Sequence, residues 1–390
     1  MPDTFGAVVA CGKAVVARVV GGPRDTPDLL AYGRGDGDWD ALMDIAKSHA
    51  MLPLVADVLG DVNVTGVPAQ ERARLSAAGR GAAVSALAAT RQLADTMRVL
   101  ERAGVPALAY KGPALSLAAY GNVGLRTSDD LDIVVAPDDL RRAADALADG
   151  GYVPVDRRSW TESRVAHDWQ GHVALARAGE PLPVELHWRF CDRKLPWSPD
   201  VGGVIERATS VRLGDVETHV PAAADQIVLV TLHAARHGWD RLESLVCAGA
   251  LVARGVDGAE LIAAARRARG VRATLAGLEA VRRLFDIALP TEVVAAIGRD
   301  RRAQRIAGDV LTRLRAGDRG PARDAALHLA LLDGPLARIR YFILAAALPT
   351  ARDAQAIRLP AYLWPIYSPI RLLRLAWRAL VHRPDSATKS

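Results

Sequence analysis

The chain has 390 residues, of which 50% are hydrophobic and 24% charged, a composition that excludes an intrinsically disordered protein. Its length predicts two to three domains of about 150 residues each. The formal net charge of +6 is too small, in a chain of this length, to indicate nucleic-acid binding from composition alone. Most of the positive excess lies in residues 351–390, which carry seven basic and two acidic side chains.

Cysteine usage and hydropathy both favour a cytoplasmic protein. The three cysteines, Cys11, Cys191 and Cys247, are far apart and form no Cys-x-x-Cys pair, so neither a disulfide framework nor a cysteine zinc site is indicated. The N-terminus lacks the basic region and the long apolar stretch of a signal peptide. The longest apolar run near the end, 341–348, is far shorter than the about 20 residues needed to span a bilayer. We therefore expect a soluble, cytoplasmic chain.

Helices are predicted before residue 104. Residues 1–38 are rich in Gly, Pro and Asp and have little periodicity, which predicts a loose start. Apolar residues at helical spacing predict a helix within 39–59. A proline-free stretch rich in Ala, Arg and Leu predicts one long helix over 70–103, which Gly104 ends.

Short apolar runs separated by turn residues follow the long helix. They predict short helices over 114–120 and 137–148, and strands over 105–110, 131–135, 172–176 and 184–188, the last two joined as a hairpin. From 221 onward the strand signals disappear and helices alone are predicted. The predicted fold is α+β, in four parts: an N-terminal helical region (1–79), a small mixed-sheet core (80–215), a helical C-terminal domain (216–350) and a basic amphipathic tail (351–390).

The sharpest motif is Asp130-Leu131-Asp132, at the start of a predicted strand. Because side chains alternate along a strand, Asp130 and Asp132 share one face while Leu131 enters the core. Two adjacent carboxylates repel each other unless a cation lies between them, and oxygen ligands in that arrangement suit Mg²⁺. The competing interpretation is a solvent-exposed strand end, since motifs this short also occur by chance.

Two neighbouring segments favour the metal site. Lys111-Gly112 precede a short predicted helix, where backbone N–H groups can bind phosphate and the lysine adds positive charge. In the strand 184–188, Glu185 and His187 share one face and alternate with apolar residues. A third carboxylate is therefore predicted beside the first two.

This order of strand, glycine turn, helix, Asp-x-Asp strand and Glu-containing strand resembles the nucleotidyltransferase superfamily, which includes the palm of DNA polymerase β. Within it, the chain resembles the bacterial family of uncharacterised nucleotidyltransferases over roughly 90–250. The segments that carry the resemblance are Tyr110-Lys111-Gly112-Pro113-Ala114, Tyr120-Gly121, Arg126, Asp130-Leu131-Asp132, Glu185-Leu186-His187-Trp188 and the helical residues His233, His237, Trp239, Arg241 and Leu242. The chain departs from the pattern at Pro113, where the superfamily has a serine, and at Ser244 and Cys247, where the family tends to carry Trp and Asp.

The resemblance implies a nucleotidyltransferase core with a polymerase β palm-like sheet. The implied reaction is metal-dependent transfer of a nucleoside monophosphate from an NTP to an acceptor hydroxyl, with release of pyrophosphate. Asp130 and Asp132 would hold two Mg²⁺ ions, and Glu185 would complete the second site and deprotonate or orient the nucleophile.

The candidates for binding substrate are Lys111, Gly112, Arg126, Ser128 and His187. Lys111 and Arg126 would neutralise triphosphate charge, although a surface lysine and an arginine paired with Asp129 are equally good interpretations. Ser128 would replace the hydroxyl that Pro113 cannot supply.

Two further features have open interpretations. His233 and His237 lie four residues apart on a predicted helix and can share a metal, but packing or substrate contact is favoured. In the tail, Ile366, Ile370, Leu373 and Trp377 form an apolar stripe beside arginines at 371, 374 and 378. Such a helix can contact an anionic membrane, over 360–383, or an RNA or protein acceptor. The favoured interpretation is docking on the protein's own helical domain, with the stripe buried and the arginines in solvent.

Three functions follow from these alternatives. The leading one is an active nucleotidyltransferase whose acceptor is a small molecule, a peptide or a glycan intermediate. The second is a catalytically degenerate fold that binds nucleotide or a partner without turnover. The third is a toxin-like enzyme that modifies tRNA, which only the basic tail favours.

Overall fold

A computed structural model describes residues 3–22, 29, 32, 37–61, 64, 66–158, 160, 167–317, 324–332, 334–348 and 361–381. Its first helices precede or flank the sheet: α1 (Thr4–Val19), α2 (Trp39–Ser48), α3 (Leu52–Leu59), α4 (Ala69–Arg102), α5 (Gly112–Tyr120), α6 (Leu140–Asp149) and α7 (Val201–Glu206). The remaining helices form the second half: α8 (Ala223–Arg236), α9 (Leu242–Ala253), α10 (Gly258–Arg267), α11 (Val271–Phe285), α12 (Thr291–Arg299), α13 (Arg301–Ala316), α14 (Asp324–Leu331), α15 (Gly334–Ala347) and α16 (Tyr367–Val381).

A mixed five-stranded sheet lies between these helices, as the α+β prediction required. Its strands are β1 (Ala107–Ala109), β2 (Leu131–Val135), β3 (Val153–Pro154), β4 (His172–Ala176) and β5 (Val184–His187), in the order β1-β2-β5-β4-β3. Strands β2 and β5 are parallel, whereas the other neighbours are antiparallel. The four strands predicted from the sequence and the β4–β5 hairpin are therefore confirmed.

The two faces of the sheet differ in chemistry. Leu131, Ile133 and Val135 are at most 1% exposed and pack in an apolar layer with residues of α4 and α6, such as Leu93 and Leu140. Asp132 of β2 therefore lies on the opposite face, and Asp130, just before the strand, is close enough to Asp132 to be affected by its charge. This confirms the predicted division of the Asp-x-Asp strand.

Helix α4 fixes the beginning of β5. Its 34 residues span about 50 Å at 1.5 Å per residue. Gln92, on this helix, is fully buried, and its side-chain amide donates to the Leu182 carbonyl (2.7 Å) and accepts from the Leu182 N–H (3.2 Å). Because Leu182 lies two residues before β5, this pair of hydrogen bonds fixes the position of the start of the strand along the helix axis.

The predicted loose start is wrong, because residues 4–19 form helix α1. Buried residues occur on several sides of this helix, at positions 7, 8, 10, 11, 12 and 14–16. A helix that is buried on most sides has no polar face and therefore no amphipathic periodicity to detect. Gly12 allows the close contact, since a Cβ at this position would lie 2.8 Å from Val246 of α9 and 3.1 Å from Phe285 of α11.

A second hairpin, of strands β6 (Thr209–Leu213) and β7 (Val216–Val220), was not predicted. It turns at Gly214, whose φ is +64°, and it packs Leu213 and Val220 into the apolar layer under the sheet. This hairpin spans the predicted domain boundary at 215/216, and α4 runs through the one at 79/80. The division into four parts stays a prediction.

In the described part of the chain, none of the helices combines the length and apolarity needed to cross a bilayer. Residues 351–360 and 382–390 of the predicted tail lie outside the described residues. In α16, Leu373 and Trp377 are 72% and 68% exposed, whereas Arg371 donates hydrogen bonds to carbonyls of α15. The prediction that the tail buries its apolar stripe and leaves its arginines in solvent is therefore wrong for these three residues.

Candidate active site

Strand pairing brings the predicted acidic residues together. Asp132 on β2 lies in register with Glu185 on the parallel neighbour β5. His172 on β4 lies opposite His187 on β5 in the antiparallel pair. Residues in register on adjacent strands share a face of the sheet, so these four side chains form one polar cluster.

Asp132 is the buried centre of the cluster, with 3% of its surface exposed. Its Oδ1 lies 2.8 Å from Lys111 Nζ and 3.0 Å from His187 Nε2. Burial alone raises the pKa of Asp132, but Lys111 and His187 outweigh it and hold the pKa well below its usual range. Lys111 is therefore not the surface lysine of the alternative interpretation, and its side chain is only 14% exposed.

Asp130 and Glu185 respond in opposite ways to their surroundings. Burial and the charges of Asp132 and Glu185 raise the pKa of Asp130 to about 6. Burial also raises the pKa of Glu185, but contact with the two histidines, above all with His187, lowers it further than burial raises it. Three carboxylates thus lie close enough to perturb one another, which is an arrangement that favours a bound cation.

The two histidines have different protonation behaviour. Burial, followed by the charge of His187, lowers the pKa of His172 to about 3, so His172 is neutral at neutral pH. Burial also lowers the pKa of His187, but contact with Asp132 and Glu185 raises it above its usual value. His172 was not among the predicted site residues, although its place opposite His187 in the predicted hairpin could have revealed it.

The turn before α5 positions Lys111. Gly112 has a φ of +56°, a left-handed conformation that favours glycine, and a Cβ at this position would lie 3.3 Å from Ser128 Oγ. The Lys111 ammonium lies 4.9 Å from the centre of the Tyr110 ring, within range of a cation–π interaction. The structure thus brings Ser128 beside the Gly112 turn.

Arg126 connects the sheet region to the helical half of the chain. Its Nε donates to Glu243 Oε1 of α9 at 2.9 Å, with both side chains largely buried. The alternative that Arg126 pairs with Asp129 is therefore wrong. Glu243 was missed because nothing local in the sequence links it to Arg126, 117 residues earlier.

A small cavity of about 10 Å³ extends from Lys111 and Arg126 toward α8 and α9, enough for about one water. His233 lines this cavity, as do Ser244 and Cys247, the two departures from the family pattern. Burial, followed by the charge of Lys111, lowers the pKa of His233 well below its usual range. The His237 ring contacts the His233 ring at 4.8 Å, centre to centre, with the two planes inclined by 59°. The structure thus brings His233 to the edge of the site, with His237 behind it.

Comparison with known sequences agrees with the geometry. The sequence profile of a family described as "uncharacterised nucleotidyltransferase" matches residues 35–286, more than half of the chain. The chain belongs to this family. The resemblance inferred from the motifs is thereby confirmed, and the matched range includes every site residue described above. No curated protein and no solved structure is significantly similar to the chain.

A nucleotidyltransferase of this kind implies a divalent cation, and the residues of the cluster fit one. The Nε2 atom of His187 is buried and makes no hydrogen bond, although it lies 3.0 Å from Asp132 Oδ1 and 3.2 Å from Glu185 Oε2. Carboxylate oxygens and imidazole nitrogens that converge in this way are cation ligands. The cluster can therefore place a cation near Lys111, which contacts Asp132.

Proposed function

We propose that the protein transfers a nucleoside monophosphate from an NTP to an acceptor hydroxyl in a Mg²⁺-dependent reaction in the cytoplasm. The observation that carries the proposal is the register of β2 and β5, which sets Asp132 beside Glu185 with Asp130 two residues earlier in the chain. An NTP would approach these carboxylates with its triphosphate on the Lys111-Gly112 turn. The family name supports the kind of reaction.

In this proposal Asp130, Asp132 and Glu185 would hold two Mg²⁺ ions, which stabilise charge on the triphosphate and make the acceptor hydroxyl more acidic. Lys111 would leave Asp132 for a phosphate oxygen. The acceptor oxygen attacks the α-phosphorus, the bond to the β-phosphate bridging oxygen breaks, and pyrophosphate leaves. Glu185 accepts the proton of the acceptor.

The other predicted substrate residues lie around this path. The backbone N–H of Gly112 and the hydroxyl of Ser128 would bind phosphate oxygens. His187 would contact the substrate from its place between the carboxylates, and Arg126 would add positive charge. The acceptor is proposed to be a small molecule, a peptide or a glycan intermediate, because the net charge of +6 gives little support to RNA.

A second candidate is a fold that binds nucleotide without turnover. The contacts of Asp132 favour this candidate, because Lys111 and His187 can balance the charge of this carboxylate in place of a metal ion. The absence of a hydroxyl at Pro113 is consistent with it.

Pyrophosphate release separates the two candidates. The purified protein is incubated with Mg²⁺ and each of the four NTPs, with and without cell extract as a source of acceptor. We expect extract-dependent release that falls by at least about 10²-fold in Asp132→Asn, because metal-ion catalysis supplies several kcal/mol. Asp129→Asn, an exposed carboxylate next to the site, is the matched control and keeps the activity.

The other outcomes are also informative. Nucleotide binding without release by any NTP supports the second candidate. If the folded protein neither binds nucleotide nor releases pyrophosphate, both candidate functions are contradicted.

We further propose that the two contacting helices α15 and α16 bind an anionic membrane. The described residues of the segment 334–381 contain five arginines and no acidic residue. Several large apolar side chains of these two helices are exposed: Leu336, Ile339, Phe342, Ile343, Leu372, Leu373 and Trp377. Exposed apolar groups among basic ones are typical of helices that lie on anionic lipid.

A further inference from the structure

We propose that His172, Glu185 and His187 form a binding centre for Zn²⁺, with ligand chemistry different from that of the Mg²⁺ site. The proposal shares Glu185 with the proposed reaction but does not rest on it, because it depends only on the arrangement of three donor atoms. It assigns a role to His172, which the proposed transfer does not use.

The Glu185 carboxylate lies at distances from the two histidines that suit one small ion. Glu185 Oε2 is 3.5 Å from His172 Nε2 and 3.2 Å from His187 Nε2. All three ligand atoms lie within 4.8 Å of one another. Ligands at about 2.0–2.1 Å from a tetrahedral zinc ion lie about 3.3 Å apart, and the two separations from Glu185 fall on either side of that value.

The backbone holds these donors in place. His172 and His187 are directly opposite each other on β4 and β5, and Glu185 is two residues before His187 on the same face. The two imidazole rings lie 4.6 Å apart, centre to centre. Ligands on paired strands need no rearrangement of the chain to meet an ion.

His187 supplies the second observation that indicates a ligand. Its side chain is 7% exposed, and among the described residues its buried Nε2 has close carboxylate neighbours but no partner in hydrogen-bond geometry. A buried polar atom without a hydrogen bond is rare in folded proteins, and a bound ion is one of the explanations for such an atom. Coordination of a metal by Nε2 would satisfy this atom.

The chemistry of the donors favours zinc over magnesium. Mg²⁺ prefers oxygen ligands and octahedral geometry, whereas imidazole nitrogens favour zinc and its neighbours. Two histidines and one glutamate are also the protein ligands of one class of catalytic zinc site, in which the fourth position stays open. The fourth position here would face the side of His187 on which Asp132 lies.

The test measures zinc binding without nucleotide. The full chain is freed of metal with a chelator, and Zn²⁺ is titrated in competition with a chromophoric chelator in the presence of millimolar Mg²⁺. We expect one Zn²⁺ per chain and a loss of affinity of at least about 100-fold in His172→Gln, since even residues that only support metal ligands contribute about 10- to 100-fold. His219→Gln, an exposed histidine on β7, is the matched control and keeps the affinity.

If His172→Gln does not fold, the zinc ligands can be identified directly in the wild-type protein. X-ray absorption of the Zn²⁺-loaded wild-type protein is expected to show two imidazole ligands. Absence of Zn²⁺ binding, unchanged affinity in a folded His172→Gln, or fewer than two imidazole ligands overturns the proposal.

The outcome is independent of the transferase test. Asp130→Asn is expected to keep Zn²⁺ binding, because Asp130 is not among the three ligands. Zinc binding without pyrophosphate release would contradict only the proposed function, and release without zinc binding would contradict only the zinc centre.

Discussion

Asp130 and Asp132 belong to one motif, yet their environments set them apart. Asp132 has a lowered pKa because Lys111 and His187 contact it, whereas Asp130 has a pKa of about 6 because burial and two neighbouring carboxylates outweigh the nearby positive charges. At neutral pH both are ionised. In the metal-free protein, the negative charge of Asp130 therefore lowers the free energy of unfolding.

Replacement of Asp130 is expected to stabilise the metal-free fold at high pH. The folded-state pKa is raised from 3.8 to about 6. As pH rises through this window the unfolded state loses its proton first, so the wild type loses stability, and the full cost is present above pH 6. Because Asn stays neutral, Asp130→Asn should be more stable than wild type by about 1 kcal/mol at pH 7.5, after allowance for partial solvent screening.

Urea unfolding in the presence of a chelator measures this difference. The advantage of Asp130→Asn should shrink as pH falls toward 4, where the wild-type carboxyl is protonated in both states. Asp129→Asn, at an exposed carboxylate next to the site, is measured in parallel as the control. A constant difference between pH 7.5 and pH 4 would contradict the argument.

Sequence periodicity predicted the faces of the site but not all of its members. Alternation along one strand was sufficient to separate Asp130 and Asp132 from the buried Leu131. His172 and Glu243 required knowledge of strand register and of tertiary contact, respectively. Local patterns report which face a side chain occupies, whereas its partner is a property of the folded chain.

The packing of α1 against α9 and α11 depends on the absence of a side chain at Gly12. An alanine Cβ there would lie 2.8 Å from Val246, too close for a packed interior, and overpacking typically costs about 1–3 kcal/mol. We expect Gly12→Ala to destabilise the fold by this amount. Gly81, on α4, has no atom within 4 Å of its Cβ position, so Gly81→Ala should stabilise by about 0.5–1 kcal/mol through helix propensity.

Thermal unfolding of these two variants is the check. The same substitution in two helices should shift the midpoint in opposite directions. An unchanged or raised midpoint in Gly12→Ala would contradict the packing of α1, and a lowered midpoint in Gly81→Ala would contradict only the helix-propensity argument.

The Arg126–Glu243 pair should couple α9 to the sheet region. Glu243→Leu leaves the buried guanidinium of Arg126 without its partner, which we expect to cost about 2 kcal/mol or more. The double variant Arg126→Leu/Glu243→Leu removes both charges and should recover part of that loss. Urea unfolding of the two single variants and the double variant gives the coupling energy, and additive effects would show that the pair does not couple these elements.

Helices and strands were predicted correctly where one of their faces is buried and the other polar, and they were missed where hydropathy does not alternate between two faces. Strands β2, β4 and β5 alternate and were predicted, whereas α1 is buried on several sides and was not. The β6–β7 hairpin carries a signal that could have been used: apolar residues alternate on both sides of Gly214-Asp215, a dipeptide typical of two-residue turns. The packing of this hairpin against the five-stranded sheet joins residues far apart in the chain, and no local sequence pattern indicates it.

At the scale of the whole molecule, the large exposed apolar residues concentrate on α15 and α16. We expect the protein to sediment with vesicles that contain anionic lipid and not with purely zwitterionic vesicles, and binding should weaken as salt is raised. Leu373→Ser/Trp377→Ser should reduce this binding by at least about tenfold, because two large apolar side chains no longer enter the interface.

Val84→Ser/Leu87→Ser is the matched control, since both residues are comparably exposed on α4. It should leave vesicle binding unchanged. Equal binding by both double variants, or no binding to anionic vesicles by the wild type, would rule out this surface as the membrane contact.

The hydrogen bonds of Gln92 with Leu182 have a consequence for how the site assembles during folding. Glu185 reaches Asp132 only if β5 takes the correct register, and a slip of one residue would turn Leu186 toward the cluster and Glu185 into the apolar layer. The register is fixed by a side chain 90 residues earlier in the chain. We therefore expect the acidic cluster to depend on α4 for its geometry, so that a fragment that contains β2 and β5 without α4 would have the residues of the site without their arrangement.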